Sequence, residues 1–192
     1  MSLEVWVHPD PQHGYVMGVD TAEGLGHGDY SCAHVVDLNT GELVAAWHGH
    51  IPPDALADEV LSLGLWYRDA LCCVEANNHG LTTITVLRQL GYPNLFRRRS
   101  LNQATSKLRN GELTIYDRHT IAELRTFVRN DRGSMSGSPY DDRVIALALA
   151  NQMRKYAYAP EYVQKVDDYW TVDWFARLGD RPGAVGEDLR IG

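Results

Sequence analysis

The order of short apolar segments along the chain is the feature that most restricts its fold. Tyr15–Asp20 is a short apolar run ending in an acid, which is typical of a buried strand. Ser31–Leu38 and Glu42–His50 flank the turn sequence Asn39-Thr40-Gly41, and this arrangement predicts a β-hairpin. We therefore expect three consecutive antiparallel strands near the start of the chain.

The segments that follow alternate between helical and strand patterns. Pro52-Pro53-Asp54 begins a helix with one apolar face, and Leu71–Ala76 (LCCVEA) is typical of a buried strand. A second helix is expected over His79–Leu90, closed by Gly91, and a short fifth strand over Asn94–Arg97. The predicted fold is therefore α/β, with a central mixed five-stranded sheet (three antiparallel strands, then parallel ones) flanked by helices.

Acidic residues stand at three of the predicted element ends. Asp20 closes the first predicted strand, Glu75 closes the fourth, and Asp141 and Asp142 open a strong helix with the sequence DDRVIALALANQMRKY. Carboxylates at a sheet edge and at a helix start can converge on one pocket, and hard divalent cations prefer oxygen ligands. Two such ions, about 4 Å apart, activate a water and stabilise the leaving oxygen of a phosphodiester. The pattern indicates metal-dependent phosphodiester hydrolysis.

Each of these acids also has a structural alternative. Asp20 could begin the glycine-rich turn that follows it, and Asp141 and Asp142 could cap their helix and interact with its dipole. Glu75 ends an otherwise apolar strand, where an unpaired acid is costly to bury. Neighbouring residues on a helix point about 100° apart, so the side chains of Asp141 and Asp142 cannot both face one ion equally. We expect Asp142, at the edge of the apolar face, to be the principal ligand, and Asp141 to cap the helix or reach a second ion.

The charge distribution bears on nucleic-acid binding. A net charge of −7 argues against binding through overall electrostatics, but it does not exclude a nuclease, because metal-binding carboxylates are negative when empty. A local basic patch could contact the DNA backbone, although it could also be a solvated face. Its members are Arg97, Arg98, Arg99, Lys107 and Arg109.

The length of 192 residues fits one domain, which we place at residues 14–156. Residues 1–13, with two prolines, are interpreted as an extended lead-in or linker, and residues 157–192 as a polar C-terminal extension. No apolar run is long enough to cross a membrane, and no secretory signal is present. The three cysteines lack CxxC spacing and are interpreted as reduced core thiols of a cytoplasmic protein.

Four segments together resemble the C-terminal nuclease domain of phage terminase large subunits. They occur in family order between about Tyr15 and Gln152, and they are VDTAEGLGHGDYS, CVEANNHG, ATSKLRNGELTIYDRHTIAELRTF and DDRVIALALA. The resemblance implies an RNase H-like fold, similar to Holliday-junction resolvases. It also implies a Mg²⁺- or Mn²⁺-dependent endonuclease that cuts concatemeric viral DNA during genome packaging.

Carried over by position, the resemblance assigns catalytic and metal-binding roles to Asp20, Glu75 and Asp142, with Asp141 beside them. Asp29, in GDYS, matches an auxiliary acid near the metal site, or is simply a turn residue. Tyr140 departs from the family, since many members have a histidine there. His79 is more typical of a turn or surface position than of a ligand.

The same resemblance implies the partners: double-stranded DNA, the ATPase motor domain of the same large subunit, the small terminase and the portal, in the host-cell cytoplasm. The phosphate-binding sequence G-x-x-x-x-G-K-[ST] is absent, so this chain cannot itself be the packaging ATPase. Two other interpretations stay open. They are another RNase H-like nuclease (a junction resolvase or transposase core) and a non-catalytic docking module of a viral packaging motor. A fragment of an actin-like ATPase is disfavoured, because that fold needs a second phosphate loop of similar type and the sequence contains none.

Overall fold

A five-stranded mixed sheet forms the centre of the computed structural model, which describes residues 1–26, 28–96, 113–129 and 135–157. The strands lie in the order β1-β4-β3-β2-β5, and all neighbours are antiparallel except β2 and β5, which are parallel. Their bounds are β1 Ser2–Val5, β2 Tyr15–Asp20, β3 Ser31–Asp37, β4 Leu43–Gly49 and β5 Leu71–Val74. The predicted α/β class, with three antiparallel strands followed by a parallel one, is confirmed.

Helices cover both faces of this sheet. One face packs against α1 (Pro53–Trp66) and α2 (Asn78–Gln89), and the other packs against α4 (Asp142–Ala157). Side chains alternate between the two faces along each strand. Met17 and Val19 belong to the core under α1 and α2, whereas Val16 belongs to the core under α4. The two apolar layers therefore bury both faces of β2 completely.

The same alternation separates the adjacent cysteines. Cys72 lies in the core under α1 and α2, and Cys73 lies in the core under α4. Both are buried and free, as is Cys32, in agreement with the prediction of reduced core thiols.

The fifth strand of the sheet differs from the predicted one. Asn94–Phe96 runs beside β5 but makes only an isolated parallel bridge, Cys72 to Leu95. The fifth strand is instead β1, which pairs with β4 along the other edge. The first part of the predicted lead-in is thus a strand of the sheet. This strand was missed because its partner residues lie 40 to 46 positions away in the chain.

A third helix, α3 (Arg118–Thr126), and a two-stranded ribbon of β6 (Val128–Arg129) and β7 (Met135–Ser136) precede α4. α4 begins at the predicted position, and its apolar residues Leu147, Ala150 and Met153 face the sheet. The described residues contain no helix long and apolar enough to cross a membrane. Residues 158–192, which include almost all of the predicted C-terminal extension, lie outside the described residues.

Candidate active site

The parallel pairing of β2 and β5 brings Asp20 and Glu75 to the same end of the sheet, where both strands end. Val19 pairs with Val74, and the backbone N–H of Glu75 donates to the Val19 carbonyl at 2.9 Å. Asp20 and Glu75 are therefore the next residues along two neighbouring strands that run in the same direction. Asp20 continues the face of Val16 and Gly18, which is the face covered by α4.

α4 packs very closely on β2, and this packing places Asp142 at the same end of the sheet. A Cβ atom on Gly18 would lie 2.1 Å from the Ala146 carbonyl oxygen and 2.3 Å from the Ala150 nitrogen. Only a residue without a side chain allows this packing. Ala146 lies about one helical turn after Asp142, and Asp20 lies two residues after Gly18, so both acids extend toward the same end.

An open cleft of about 450 Å³ lies at this end of the sheet. The acids that line it come from two strand ends, the loop after β2 and the start of α4. They are Asp20, Glu23, Asp29, Glu75, Asp141 and Asp142. Among the described residues of its lining there is no lysine or arginine to neutralise them. The structure thus brings together every acid singled out from the sequence, while their roles as metal ligands stay a prediction.

The crowding of carboxylates has a direct electrostatic consequence. Burial raises the pKa of Asp20 to about 9, with contributions from a hydrogen bond with Glu75 and from the charges of Glu75, Asp142 and Asp141. Burial also raises the pKa of Asp142 to about 7, together with the charges of Glu123 and Asp29. In the absence of cations, these carboxyl groups retain protons at pH values where isolated carboxyl groups are ionised.

The donor set fits a hard divalent cation. All the charged groups are oxygen donors, and Oδ2 of Asp142 is buried without a hydrogen-bond partner. A cation would supply the missing partner of that oxygen and would replace the hydrogen bond between Asp20 and Glu75. In this structure, however, no three acidic, histidine or cysteine side chains among the described residues are already arranged to hold a metal ion.

The two members of the aspartate pair have different environments. Asp142 is 4% exposed, and its carboxylate accepts the backbone N–H of Tyr30. Asp141 is half-buried, and its Oδ2 accepts the backbone N–H of Gly137 at 3.0 Å. The Asp141 carbonyl also accepts the Ile145 N–H, so Asp141 occupies the helix N-cap position. Asp142 points inward and Asp141 lies at the margin, as the helix geometry predicts.

The remaining predicted residues lie around the cleft or outside the described chain. Asp29 is exposed, His79 is half-buried, and both line the cleft. Tyr140 is 40% exposed and contacts Tyr30 edge to face, with 5.3 Å between ring centroids. The predicted DNA-contacting residues lie outside the described residues, and they are Arg97, Arg98, Arg99, Lys107 and Arg109.

A buried ionic network holds the first turn of α4, and the sequence analysis missed it. Arg143 Nη1 donates to Asp117 Oδ2 at 2.7 Å, and the Arg143 backbone N–H donates to Glu123 Oε2 at 3.0 Å. Glu123, on α3, therefore satisfies a free N–H group at the start of α4. His34 lies behind this network, where burial lowers its pKa to about 3. Nothing local to these residues in the sequence indicates that they meet.

Asn77 was also missed, although a signal was available. The sequence Asn77-Asn78-His79-Gly80 follows a strand and precedes a helix, and asparagine is a preferred N-cap residue. The Asn77 side chain accepts the Gly80 N–H at 2.7 Å and so caps α2. The same side chain contacts Glu75, which is a consequence of tertiary structure.

The sheet order, the helices on both faces and the acidic cleft at one edge define an RNase H-like α/β fold, as predicted. Solved structures with this fold are similar over most of the chain. The large terminase nuclease from thermophilic phage G20c, with bound magnesium, has a TM-score of 0.68 and 24% identity over 79% of this chain and 87% of that chain.

The Thermus phage P74-26 large terminase nuclease domain has a TM-score of 0.57 and 20% identity, covering 80% of this chain and 86% of that chain. The P22 large terminase nuclease domain has a TM-score of 0.53 and 11% identity, covering 84% and 93%. The chain thus has the fold of phage large terminase nuclease domains, which confirms the predicted resemblance at the level of structure. No protein-family model matches the chain, and no curated protein is significantly similar in sequence.

Proposed function

We propose that this chain is a metal-dependent DNA endonuclease domain that cuts concatemeric viral DNA during genome packaging. The observation that carries the proposal is the meeting of Asp20, Glu75 and Asp142 in one cleft, from three different elements. Asp20 and Asp142 are buried and Glu75 is half-buried, and the described lining of the cleft contains no lysine or arginine. Such an uncompensated group of acids is unfavourable, and it is typical of a site that binds cations. The shared fold with nuclease domains of phage large terminases supports the DNA substrate.

In the proposed reaction, the carboxylates of the cleft would hold the cations in place. Asp20, Glu75 and Asp142 would bind the cations, with Asp141 at the margin reaching a second one and Asp29 assisting from the loop. Bound Mg²⁺ or Mn²⁺, as two ions, would activate a water and stabilise the leaving oxygen of the phosphodiester. The G20c nuclease has been solved with bound magnesium, which favours a divalent cation here.

The wider assembly follows from the same proposal. Double-stranded DNA would be held by the basic patch between Arg97 and Arg109, and the ATPase motor domain of the same large subunit would deliver it. The small terminase and the portal would be the further partners, and the reaction would take place in the host-cell cytoplasm. A junction resolvase or transposase core would have the same chemistry on a different substrate.

Cleavage of plasmid DNA by the purified chain tests the proposal. We expect nicking or linearisation with Mn²⁺ or Mg²⁺, little sequence preference, and no cleavage in EDTA. Asp20→Asn should abolish cleavage while the protein stays folded. Preference for branched over linear DNA would instead indicate a resolvase.

Asp37→Asn is the matched control, because Asp37 is also a buried acid at a strand end. It pairs with Tyr15 in the β2–β3 register, at the opposite end of these strands from Asp20. Its carboxylate accepts the N–H groups of Asn39 and Thr40. The side-chain oxygen of an asparagine at this position could still accept both hydrogen bonds, so cleavage should persist. Full activity of Asp20→Asn would contradict the proposal, and a complete lack of metal-dependent cleavage would favour the docking module.

A further inference from the structure

The Asn77 side chain joins the carboxylate of Glu75 to the backbone that follows Asp20. Asn77 Nδ2 donates to Glu75 Oε2 at 3.1 Å and to the carbonyl oxygen of Thr21 at 3.2 Å. Thr21 directly follows Asp20, so this amide links the loop after β2 with the carboxylate that follows β5. Asn77 is half-buried and lines the cleft.

The hydrogen-bond partners determine the orientation of the Asn77 amide. Its Oδ1 faces a donor, the N–H of Gly80 at 2.7 Å, and its Nδ2 faces two acceptors. A flipped amide would place its oxygen against Glu75 and Thr21 and would lose all three bonds. The atom that faces Glu75 is therefore the amide nitrogen, which donates a hydrogen bond and cannot itself bind a cation.

The backbone around Asn77 is held tightly. A Cβ atom on Gly80 would lie 1.8 Å from the Glu75 carbonyl oxygen, so the start of α2 packs directly on the backbone of Glu75. The cap that Asn77 provides to α2 therefore also fixes the position from which its Nδ2 reaches Glu75. Thr21, on the other side, is 2% exposed.

We propose that Asn77 is a positioning residue that orients the Glu75 carboxylate toward Asp20 for cation binding. The inference rests on the proposed function and deepens it, because it names the group that aligns one of the ligands. The N–H donor occupies one carboxylate oxygen of Glu75, so the other oxygen could bind a cation in place of the hydrogen bond between Glu75 and Asp20. Partners of this kind typically contribute about 10- to 100-fold to metal affinity.

Two substitutions separate this role from helix capping. Serine is about as good an N-cap as asparagine, whereas alanine is much poorer. Asn77→Ser keeps an acceptor for the Gly80 N–H but has no second polar atom for Glu75 and Thr21, and Asn77→Ala loses every one of these bonds. We expect both variants to bind Mn²⁺ about tenfold or more weakly in calorimetric titrations. Only Asn77→Ala should unfold at clearly lower urea concentration in EDTA.

If Asn77 only capped the helix, metal affinity would follow stability. Asn77→Ser, which keeps the cap, would then bind Mn²⁺ as the wild type does. Asn77→Ser with wild-type Mn²⁺ affinity and wild-type Mn²⁺ dependence of cleavage would overturn the inference and leave the proposed function standing. Asp20→Asn is measured alongside as the reference for a lost ligand. If the wild-type chain binds Mn²⁺ no better than Asp20→Asn, the proposed function fails, and the inference fails with it.

Discussion

Replacing Asp142 by asparagine should stabilise the metal-free protein, and the effect should depend on pH. Asp142 is 4% exposed, and its Oδ2 is buried without a hydrogen-bond partner. Burial, with the charges of Glu123 and Asp29, raises its pKa from 3.8 to about 7. An acid with a raised pKa in the folded state favours folding at low pH, and this contribution is lost as the pH rises from about 4 to above 7.

The size of the effect follows from the pKa. Each pKa unit corresponds to about 1.4 kcal/mol, so ionised Asp142 costs the folded protein about 4 kcal/mol at pH 8. Asparagine removes the charge and can still accept the N–H of Tyr30, but its buried amide nitrogen has no assured partner. We therefore expect Asp142→Asn to be about 1–3 kcal/mol more stable than the wild type at pH 8 in EDTA, because the unpaired amide offsets part of the gain.

Urea unfolding at pH 5 and pH 8 in EDTA measures this difference. The gain should be much smaller at pH 5, where Asp142 is protonated in the folded wild type. Excess Mg²⁺ should reverse the order, because a cation that binds only the folded state stabilises the wild type more than the variant. Asp37→Asn, which replaces the carboxylate that contacts the His13 ring, should gain no stability at either pH. A variant no more stable than the wild type at pH 8, or a gain independent of pH, would refute the reasoning.

Three further predictions concern packing, the ionic network and DNA binding. Gly18→Ala should lower the free energy of unfolding in urea by about 2 kcal/mol or more and weaken Mn²⁺ binding, because its Cβ would collide with the α4 backbone. Wild-type stability of this variant would contradict the close approach of α4 to β2. Arg143→Met should cost about 3–5 kcal/mol, because the buried Asp117 carboxylate loses its cationic partner, and adding Asp117→Asn should recover part of that loss. Neutralising the basic patch should weaken DNA binding for all sequences and flatten its salt dependence in filter-binding assays, and an unchanged slope would place the DNA elsewhere. The substitutions are to glutamine at Arg97, Arg98, Arg99, Lys107 and Arg109.

The sequence by itself was sufficient for the elements whose signals are local. The apolar run that ends at Asp20, the turn Asn39-Thr40-Gly41 and the acidic start of α4 depend on residues close together in the chain. The assignment of Leu71–Ala76 as a strand also implies that Cys72 and Cys73 face opposite sides, because side chains alternate along a strand. These signals identified Asp20, Glu75 and the aspartate pair as residues at the ends of elements, but they carry no information on the distances between those elements.

The tertiary structure decided which distant groups meet. β1 is a strand because it pairs with β4 along the edge of the sheet. Glu123 caps α4 because α3, which carries Glu123, packs beside α4. Asn77 could be predicted as a helix cap, but its contacts with Glu75 and Thr21 depend on the parallel pairing of β2 with β5. Periodicity and turn chemistry act over a few residues, whereas strand pairing and buried polar contacts join segments whose proximity only the complete fold establishes.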